Sequence, residues 1–295
     1  MGVEEHEDLI SYHLHRSMAR IDTPRPYDRI HASDVTNEEW CHRRHALLWY
    51  NKMQGEGSFV GTATDLVWAQ GRNLANYVIH KLKTVDIAIG DWRCANCGAM
   101  IRYSKHPGYC RSCTCKSFLY EEVRVTSPIS GVSCGLDLIV DLPARKKNLL
   151  VEIKTIDKVK FQGLKAPLAE HRVRTQIYLR SVAESVEKHA EFIETEEARI
   201  LYISKGGYGE KSKKPKEWGL KDQAYTPFKE FVVQRDDESV ESYMKNPKEL
   251  YEFQTKVAGW PQRPCATAYS NRAQGCEVKD LCFSGSEPGE KPSDW

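Results

Sequence analysis

Two short apolar runs that each carry an acidic residue constrain the fold of this chain most. The stretch ISGVSCGLDLIVDLPARKKNLLVEIKT, residues 129–155, contains the runs Leu136–Leu142 and Leu149–Ile153, bounded by Gly and Pro. Such runs between turn-forming residues predict two strands joined by a polar, basic loop, which is a β-hairpin. Asp137 lies in the first run and Glu152 in the second, where a buried strand does not normally hold a charge. The hairpin is therefore either a functional site or part of the surface.

The carboxylates of the hairpin have two interpretations. A carboxylate on an apolar strand destabilises the protein unless it is paired or binds a metal, and two on neighbouring strands can hold Mg2+ or Mn2+. Side chains alternate along a strand, so Glu152 and Lys154 share a face. A metal there would polarise a phosphate and activate a water, which the lysine would orient. The alternative is a surface hairpin with a Glu/Lys pair, because the pattern D-x14-E-x-K is short.

The composition is that of a globular protein without a strong overall charge. Its 295 residues allow two domains, or one core with an insertion, and a hydrophobic content of 40% supplies a sizeable core. A net charge of +2 does not by itself indicate nucleic-acid binding, so any basic surface is local. No run approaches the ~18 apolar residues of a membrane span. The acidic N-terminus MGVEEHEDL lacks the apolar core of a signal peptide, so we expect a soluble, cytoplasmic protein.

Ten cysteines are many for a protein of a reducing compartment, where clustered cysteines indicate metal binding before disulfides. Residues 91–118, DWRCANCGAMIRYSKHPGYCRSCTCKSF, contain two C-x2-C pairs separated by 12 residues. Four thiolates at this spacing are typical of two zinc knuckles around a tetrahedral, structural Zn2+, with a redox pair as the alternative. The predicted ligands are Cys94, Cys97, Cys110 and Cys113, although Cys115 can substitute for Cys113.

A second set of cysteines lies near the end of the chain, in WPQRPCATAYSNRAQGCEVKDLCF, residues 260–283. Its members are Cys265, Cys276 and Cys282, and three thiolates are one fewer than a four-thiolate metal centre needs. Cys41, in WCHRRHALLWY, would supply a fourth ligand and bring the two ends of the chain together. Four thiolates hold zinc or an iron–sulfur cluster, and the spacing does not decide between these and free cysteines.

The rest of the chain is predicted to alternate helices with strands. We expect helices over residues 7–20, 33–52, 62–83, 168–189 and 236–257, and strands over residues 120–126, 198–204 and 228–234. One of these helices carries polar side chains that either face phosphates or form a solvated surface: Arg172, Arg174, Gln176 and Arg180.

Residues 205–222 are rich in Gly and Lys and contain the aromatic residues Tyr208 and Trp218. Basic residues attract a nucleic-acid backbone, and aromatic rings stack on bases. The composition therefore favours a mobile flap over a nucleic acid, or else a disordered loop.

Together these motifs resemble the iron–sulfur branch of the PD-(D/E)XK nucleases, which includes the RecB-like exonucleases of CRISPR adaptation and their phage relatives. ISGVSCGLDLIV is similar to the Gly-to-Asp motif of that family, VEIKT to its E-x-K motif, and ARILYISK to its next strand. One N-terminal cysteine and three C-terminal ones, ending in a C-x5-C step, are similar to the cluster ligands of this branch. The resemblance spans roughly residues 33–283, apart from the zinc segment.

The resemblance implies an α/β, restriction-endonuclease-like core in which helices flank a mixed sheet. A zinc-knuckle module would be inserted, and a [4Fe–4S] cluster would staple a helical lid made of both chain ends. The implied catalytic residues are Asp137, Glu152, Lys154 and Gln176; Mg2+ or Mn2+ would bind Asp137, Glu152 and the Ile153 carbonyl; the cluster would bind Cys41, Cys265, Cys276 and Cys282. Candidate DNA contacts are Arg172, Arg174, Arg180 and, at the end of the next strand, Lys205.

The implied activity is that of a metal-dependent deoxyribonuclease, an exonuclease on single-stranded DNA ends. Its setting would be recombination, repair or phage DNA processing, in the cytoplasm of a bacterial or phage-infected cell. DNA would be the main partner, together with recombination or replication proteins and without a membrane, and the oligomeric state stays open.

Two positions depart from the family pattern. Many relatives have a histidine one turn after a glycine in the first core helix, and the corresponding residue after Gly71 is Ala75. The tyrosine expected four residues after Gln176 is replaced by Arg180, with Tyr178 two residues earlier. The alternative function is therefore a nucleic-acid-binding or complex-assembly module with a vestigial nuclease site.

These motifs divide the chain into four expected regions. They are an N-terminal helical region with the first cluster cysteine, a zinc-ribbon-like insertion, the nuclease core and a C-terminal cysteine region. Their ranges are residues 1–90, 91–118, 119–258 and 259–295.

Overall fold

A computed structural model describes residues 10–18, 20–22, 26–53, 55, 57–206, 210–211 and 225–284. The chain forms two compact units, each assembled from separate stretches of sequence. The first unit contains Met1–Asp65, Ile129–Val132 and Ser242–Trp295, and the second contains Leu66–Pro128 and Ser133–Glu241. The four expected regions follow the positions of the cysteines, whereas the units follow packing, so their boundaries differ.

The elements are numbered in chain order. The helices are α1 (Ile10–Met18), α2 (Ala32–Val35), α3 (His42–Tyr50), α4 (Thr62–Thr84), α5 (Lys158–Gly163), α6 (Ala169–Glu184), α7 (Asp237–Gln254), α8 (Asn271–Gln274) and α9 (Lys279–Phe283), with a 3-10 helix at Lys188–Phe192. The strands are β1 (Arg20–Asp22), β2 (Ile30–His31), β3 (Ser58–Val60), β4 (Ala88–Cys94), β5 (Met100–Ser104), β6 (Phe118–Glu121), β7 (Val123–Thr126), β8 (Val132–Leu136), β9 (Leu138–Val140), β10 (Leu149–Ile156), β11 (Glu197–Ser204), β12 (Glu210–Lys211), β13 (Tyr225–Thr226) and β14 (Phe228–Gln234).

The second unit contains a seven-stranded mixed sheet in the order β14–β11–β10–β9–β4–β5, with β6 also paired to β4. The predicted hairpin is present as β9 and β10, in which Val151 pairs with Leu138. β10 and β11 are parallel, and their register places Lys154 beside Tyr202. A parallel pair needs a crossover connection, which α5 and α6 provide between these two strands.

Two hydrophobic clusters pack against this sheet. In one cluster Val78 of α4 packs with Ile153 of β10, and in the other Phe161 of α5 packs with Tyr202 of β11. Side chains alternate along a strand, so Glu152 points away from the face that Ile153 covers. The carboxylate of the E-x-K motif therefore lies on the side of the sheet that α5 covers.

The core of the first unit is small. Leu47 and Leu48 of α3 are buried against Val278, and Trp260 packs at the edge of this cluster. Arg43 is buried as well; its guanidinium lies 4.7 Å from the Trp260 ring centroid and donates to the Pro261 carbonyl at 3.0 Å. Antiparallel pairing of β1 with β3 adds a two-stranded sheet.

The predicted helix over residues 33–52 is wrong in its middle, where α2 ends six residues before α3 begins. Oδ1 of Asn37 accepts the N–H of Glu39 at 3.0 Å, which stabilises a turn instead of a helix. Cys41 is extended, and its sulfur accepts the N–H of Arg44 at 3.4 Å. Cys41 therefore caps α3 rather than lying inside a helix.

The predicted helix over residues 168–189 is also too long, because α6 ends at Glu184 and a 3-10 helix follows. Ser185 has an extended backbone, and its hydroxyl donates to the carboxylate of Glu187. Side chains that bond locally in this way compete with helix continuation. The predicted strand over residues 120–126 is interrupted between β6 and β7.

Most of the predicted flap, including Tyr208 and Trp218, lies outside the described residues, as does the acidic segment 1–9. Among the helices that the structure does describe, none has the length and apolar character to cross a membrane.

Candidate active site and cysteine sites

Three residues of the hairpin meet where β9 and β10 run side by side. Asp137 follows β8, and its Oδ2 accepts the backbone N–H of Ile153 at 2.9 Å. Glu152 and Lys154 share one face of β10, and Lys154 Nζ lies 2.5 Å from Glu152 Oε1. The register of the hairpin thus brings two carboxylates and a lysine into one place.

Glu152 is fully buried, and its environment disfavours its charge. Burial and the negative charge of Asp137 raise the pKa of Glu152 to about 8, although Lys154 acts in the opposite direction. Lys154 Nζ engages Oε1 in this short ion pair, and no other described group donates a hydrogen bond to either carboxylate oxygen. Burial alone would lower the pKa of Lys154, but the negative charges of Glu152 and Asp137 outweigh it and the pKa is raised.

The donor set fits a hard divalent cation. Mg2+ and Mn2+ prefer carboxylate and carbonyl oxygens, and apart from the Lys154 ion pair the two buried oxygens of Glu152 have no donor among the described residues. One oxygen of Asp137 is fixed by Ile153, which orients the carboxylate. A cation would compensate the two negative charges that burial otherwise disfavours.

One face of α6 lies over this site and carries residues at helical spacing, His171, Arg174 and Tyr178. Burial and then the negative charges of Glu152 and Asp137 raise the pKa of Tyr178 well above its usual range. Burial followed by the positive charges of Lys154 and Arg174 lowers the pKa of His171 to about 4. Neither His171 nor Tyr178 is among the site residues predicted from the sequence. The i, i+3, i+7 spacing was the signal that could have found both.

Gln176, predicted as catalytic, points elsewhere. Its Nε2 donates to the Gln234 carbonyl, and its Oε1 accepts the N–H of Asp236 at 2.8 Å. The amide thereby joins α6 to the end of β14, and both of its ends are occupied.

The other predicted DNA contacts have different surroundings. Arg180 forms ion pairs with Glu184 at 2.8 Å and with Glu241 at 2.6 Å, so two acids already neutralise it. Arg172 is exposed. Lys205 lies at the end of β11 and donates to the Val67 carbonyl at 3.4 Å.

Gly71 permits a close approach between α4 and the end of β10. A Cβ atom on Gly71 would lie 3.0 Å from the Thr155 hydroxyl, one residue beyond Lys154. One turn later, Ala75 is partly buried against the hydrophobic cluster of α4 and β10. Ala75 therefore contributes packing at this position.

The first cysteine group is compact. The sulfurs of Cys94, Cys97, Cys110 and Cys113 all lie within 4.8 Å of one another. Cys94 and Cys113 are 3.5 Å apart, and Cys97 and Cys110 are 3.6 Å apart. A tetrahedral zinc ion with bonds of about 2.3 Å holds its sulfurs roughly 3.8 Å apart. The group thus has the dimensions of a structural zinc site.

The two knuckles of this group have the same turn. Gly98 donates its N–H to the Cys94 carbonyl at 3.0 Å, and Thr114 donates to the Cys110 carbonyl at 2.8 Å. Both residues have positive φ, +73° and +59°. Cys115 lies beyond the second turn, where its sulfur accepts the N–H of Ser117 at 3.3 Å. The repeated turn favours Cys113 over Cys115 as the fourth ligand.

The second cysteine group lines a cavity in the first unit. Cys41, Cys265, Cys276 and Cys282 all face a space of about 720 Å³. Charged residues of both signs surround it: Arg44, Arg263, Arg272 and Lys279 with Glu38, Glu39 and Glu277. In the described part of the chain, these four sulfurs do not form a group within 4.8 Å, unlike the first set.

No protein-family model matches the sequence, and no curated protein matches it. The structure is similar to that of an alkaline exonuclease (LHK-Exo) from Laribacter hongkongensis, with 11% identity, coverage of 83% of this chain and 94% of the exonuclease, and a TM-score of 0.42. A structure of LHK-Exo in complex with dAMP is similar at 12% identity, covering 78% of this chain and 89% of that one, with a TM-score of 0.41. These scores are too low to establish a common fold, so the site is defined by its own geometry.

Proposed function

We propose that this chain is a metal-dependent deoxyribonuclease of the PD-(D/E)XK type. The observation that carries the proposal is the convergence of Asp137, Glu152 and Lys154, with both oxygens of Glu152 buried and, among the described residues, only Lys154 as a donor to them. A purely structural Glu/Lys pair does not need a second carboxylate beside a fully buried one, because like charges at close range disfavour each other.

In this proposal Asp137, Glu152 and the Ile153 carbonyl hold Mg2+ or Mn2+. When bound, the metal polarises the scissile phosphate and lowers the pKa of a water molecule. Lys154 then orients the attacking water and stabilises the negative charge that develops on the phosphate. The raised pKa of Lys154 keeps its ammonium group charged for this role.

The substrate that we propose is single-stranded DNA with a free end, degraded exonucleolytically in recombination, repair or phage DNA processing. This part rests on the sequence motifs and their order. Arg174 is the best-placed arginine for a phosphate, because its charge acts on both Lys154 and His171. Arg172, which is exposed, and Lys205 at the end of β11 are further candidates, whereas Arg180 is already engaged by two acids.

We further propose a structural zinc ion at Cys94, Cys97, Cys110 and Cys113, and a [4Fe–4S] cluster at Cys41, Cys265, Cys276 and Cys282. The shared cavity supports the second assignment. Anaerobic purification should yield about four irons and one zinc per chain. Two zincs without iron would contradict the iron–sulfur assignment and leave the nuclease proposal standing.

The decisive experiment is cleavage of end-labelled DNA with Mg2+ or Mn2+. We expect wild-type cleavage, and a loss of about 10²- to 10³-fold in Lys154→Ala, the size typical of removing one group that stabilises transition-state charge. Lys160→Ala, an exposed lysine on α5, is the matched control. Circular single-stranded DNA should resist cleavage if a free end is required.

A second candidate is a DNA-binding or assembly module with a vestigial active site. Ala75 favours it, because the helix contributes packing where relatives contribute a histidine. This candidate predicts DNA binding without cleavage under any divalent metal, and equal behaviour of wild type and Lys154→Ala.

A further inference from the structure

His171 is a buried imidazole that the proposed mechanism does not use. It lies in the first turn of α6, and only 12% of its side chain is exposed. Its Nδ1 lies 2.8 Å from the Tyr202 hydroxyl oxygen, and the two ring centroids are 5.6 Å apart. Tyr202 itself is fully buried. The imidazole is therefore held at a fixed position by a rigid neighbour.

The contacts of the two ring nitrogens assign the proton of His171. Nε2 lies 3.2 Å from Oε1 of Glu170, and an ionised carboxylate can only accept a hydrogen bond. The Tyr202 hydroxyl, which accepts the Leu168 N–H at 3.0 Å, is then the donor to Nδ1. The imidazole proton then resides on Nε2, as the hydrogen-bond pattern assigns it.

This ring lies beside the E-x-K motif. Tyr202 is the partner of Lys154 in the parallel register of β10 and β11, which places neighbouring strands about 4.8 Å apart with these side chains on one face. Burial and the positive charges of Lys154 and Arg174 hold the pKa of His171 at about 4. The imidazole near Lys154 and Arg174 is thus an uncharged donor.

We propose that His171 donates its Nε2–H to a non-bridging oxygen of the DNA phosphate bound at this site. Nε2 now lies 3.2 Å from Oε1 of Glu170, whose side chain is 67% exposed. A phosphate would replace this exposed carboxylate as the acceptor, and its hydrogen bond with Nε2–H would likewise be charge-assisted. The inference rests on the proposed function, because it assumes that DNA occupies the carboxylate site.

The test measures binding of a short, fluorescent single-stranded oligonucleotide in Ca2+ by anisotropy. His171→Ala should bind about tenfold or more weakly, the usual loss for a hydrogen bond to a charged group. His171→Gln, which places an N–H donor near the position of Nε2, should stay within about threefold of wild type. Glu170→Gln should bind at least as tightly as wild type, since the competing acceptor loses its charge. His80→Ala, an exposed histidine on α4, is the control.

A second substrate tests the phosphate itself. An oligonucleotide with uncharged methylphosphonate linkages should bind wild type more weakly, but the further loss in His171→Ala should be smaller than on normal DNA. If His171→Ala is poorly folded, Tyr202→Phe keeps the ring and removes the hydroxyl that orients His171. Its affinity should fall in the same direction by a smaller factor.

The outcomes separate the inference from the nuclease proposal. Unchanged affinity in a folded His171→Ala would overturn the inference while cleavage persists. Failure of His171→Gln to restore affinity, with equal losses on both substrates, would make His171 a structural support of α6. Binding that follows the expected order without cleavage in Mg2+ or Mn2+ would overturn the nuclease proposal alone. Absence of any DNA binding by wild type would overturn both.

Discussion

The two groups of cysteines bring four sulfurs towards each other by different means. Cys94–Cys113 is one short segment in which each knuckle has its own hydrogen-bonded turn, and its four sulfurs lie within 4.8 Å. The second group combines Cys41, the cap of α3, with residues of the irregular C-terminal region, and its sulfurs line a cavity of about 720 Å³. The first site is formed by local backbone geometry, and the second by the fold of a whole unit.

The difference between the two cysteine groups indicates where a bound metal or cluster would contribute most to the stability of the fold. In the first unit the core is small, and Cys276 and Cys282 are themselves part of its edge. A group bound there would link the two ends of the chain directly and stabilise everything between them. The carboxylate site is a third case, because a paired sheet holds its residues whether or not a metal is bound.

The largest expected effect is therefore Cys276→Ser. Loss of one ligand should release the bound group and unfold the first unit, since a structural metal site is worth on the order of 10 kcal/mol of folding free energy. Limited proteolysis should cut within residues 26–53 and 242–284, and the bound metal should be lost. Cys115→Ser is the matched control. Equal proteolysis of the two variants would contradict the role of the cavity.

The zinc segment should respond more locally. Cys113→Ser should lower the zinc content from one atom per chain towards none. Only residues 94–115 should become accessible to proteases, because all four zinc ligands lie within this short segment. Cys115→Ser should keep the zinc. Metal analysis with mass spectrometry of the fragments checks both, and zinc retained in Cys113→Ser but lost in Cys115→Ser would reverse the ligand assignment.

The carboxylate site should lose function without losing structure. Glu152→Gln should reduce cleavage by about 10²- to 10³-fold, because a neutral amide is a poor ligand for a hard cation. Zinc content and circular dichroism should stay as in wild type, since β10 keeps its pairing. A variant that also released zinc would show that the effect spreads through the sheet.

The smallest effect concerns pH. Metal binds the deprotonated carboxylate, so affinity for Mg2+ should rise by up to about tenfold per pH unit towards pH 8 and then level off. The effect of pH on the stability of the fold has the opposite sign. A carboxyl group whose native pKa exceeds its usual value of 4.5 stabilises the fold at low pH, and this contribution is lost as pH rises through about 8. Calorimetric titration with Mg2+ at several pH values measures the first trend, and melting curves in EDTA measure the second. An affinity for Mg2+ that does not depend on pH would contradict the assigned role of Glu152.

The sequence predicted best those features of the fold and the sites that depend on short, local patterns. The hairpin was predictable because Gly and Pro bound its apolar runs, and the compact cysteine group because its spacing alone specifies two knuckles. The break before Cys41 was not, since it depends on a turn at Asn37 that competes with good helix-forming residues. Nor did the sequence reveal which face of α6 meets the sheet, so it did not show that Gln176 bonds to the end of β14 while the charge of Arg174 acts on Lys154.

The hydrogen bond from the Ile153 amide to Asp137 also makes that amide an NMR probe of metal binding at this site. The backbone nitrogen of Ile153 lies 2.9 Å from an oxygen of the Asp137 carboxylate, which is proposed to bind the metal. A cation on that carboxylate would withdraw electron density from the acceptor and weaken the bond, so the amide resonance should move as the site fills. Occupancy of the site would then be visible by NMR in the absence of DNA and of catalysis.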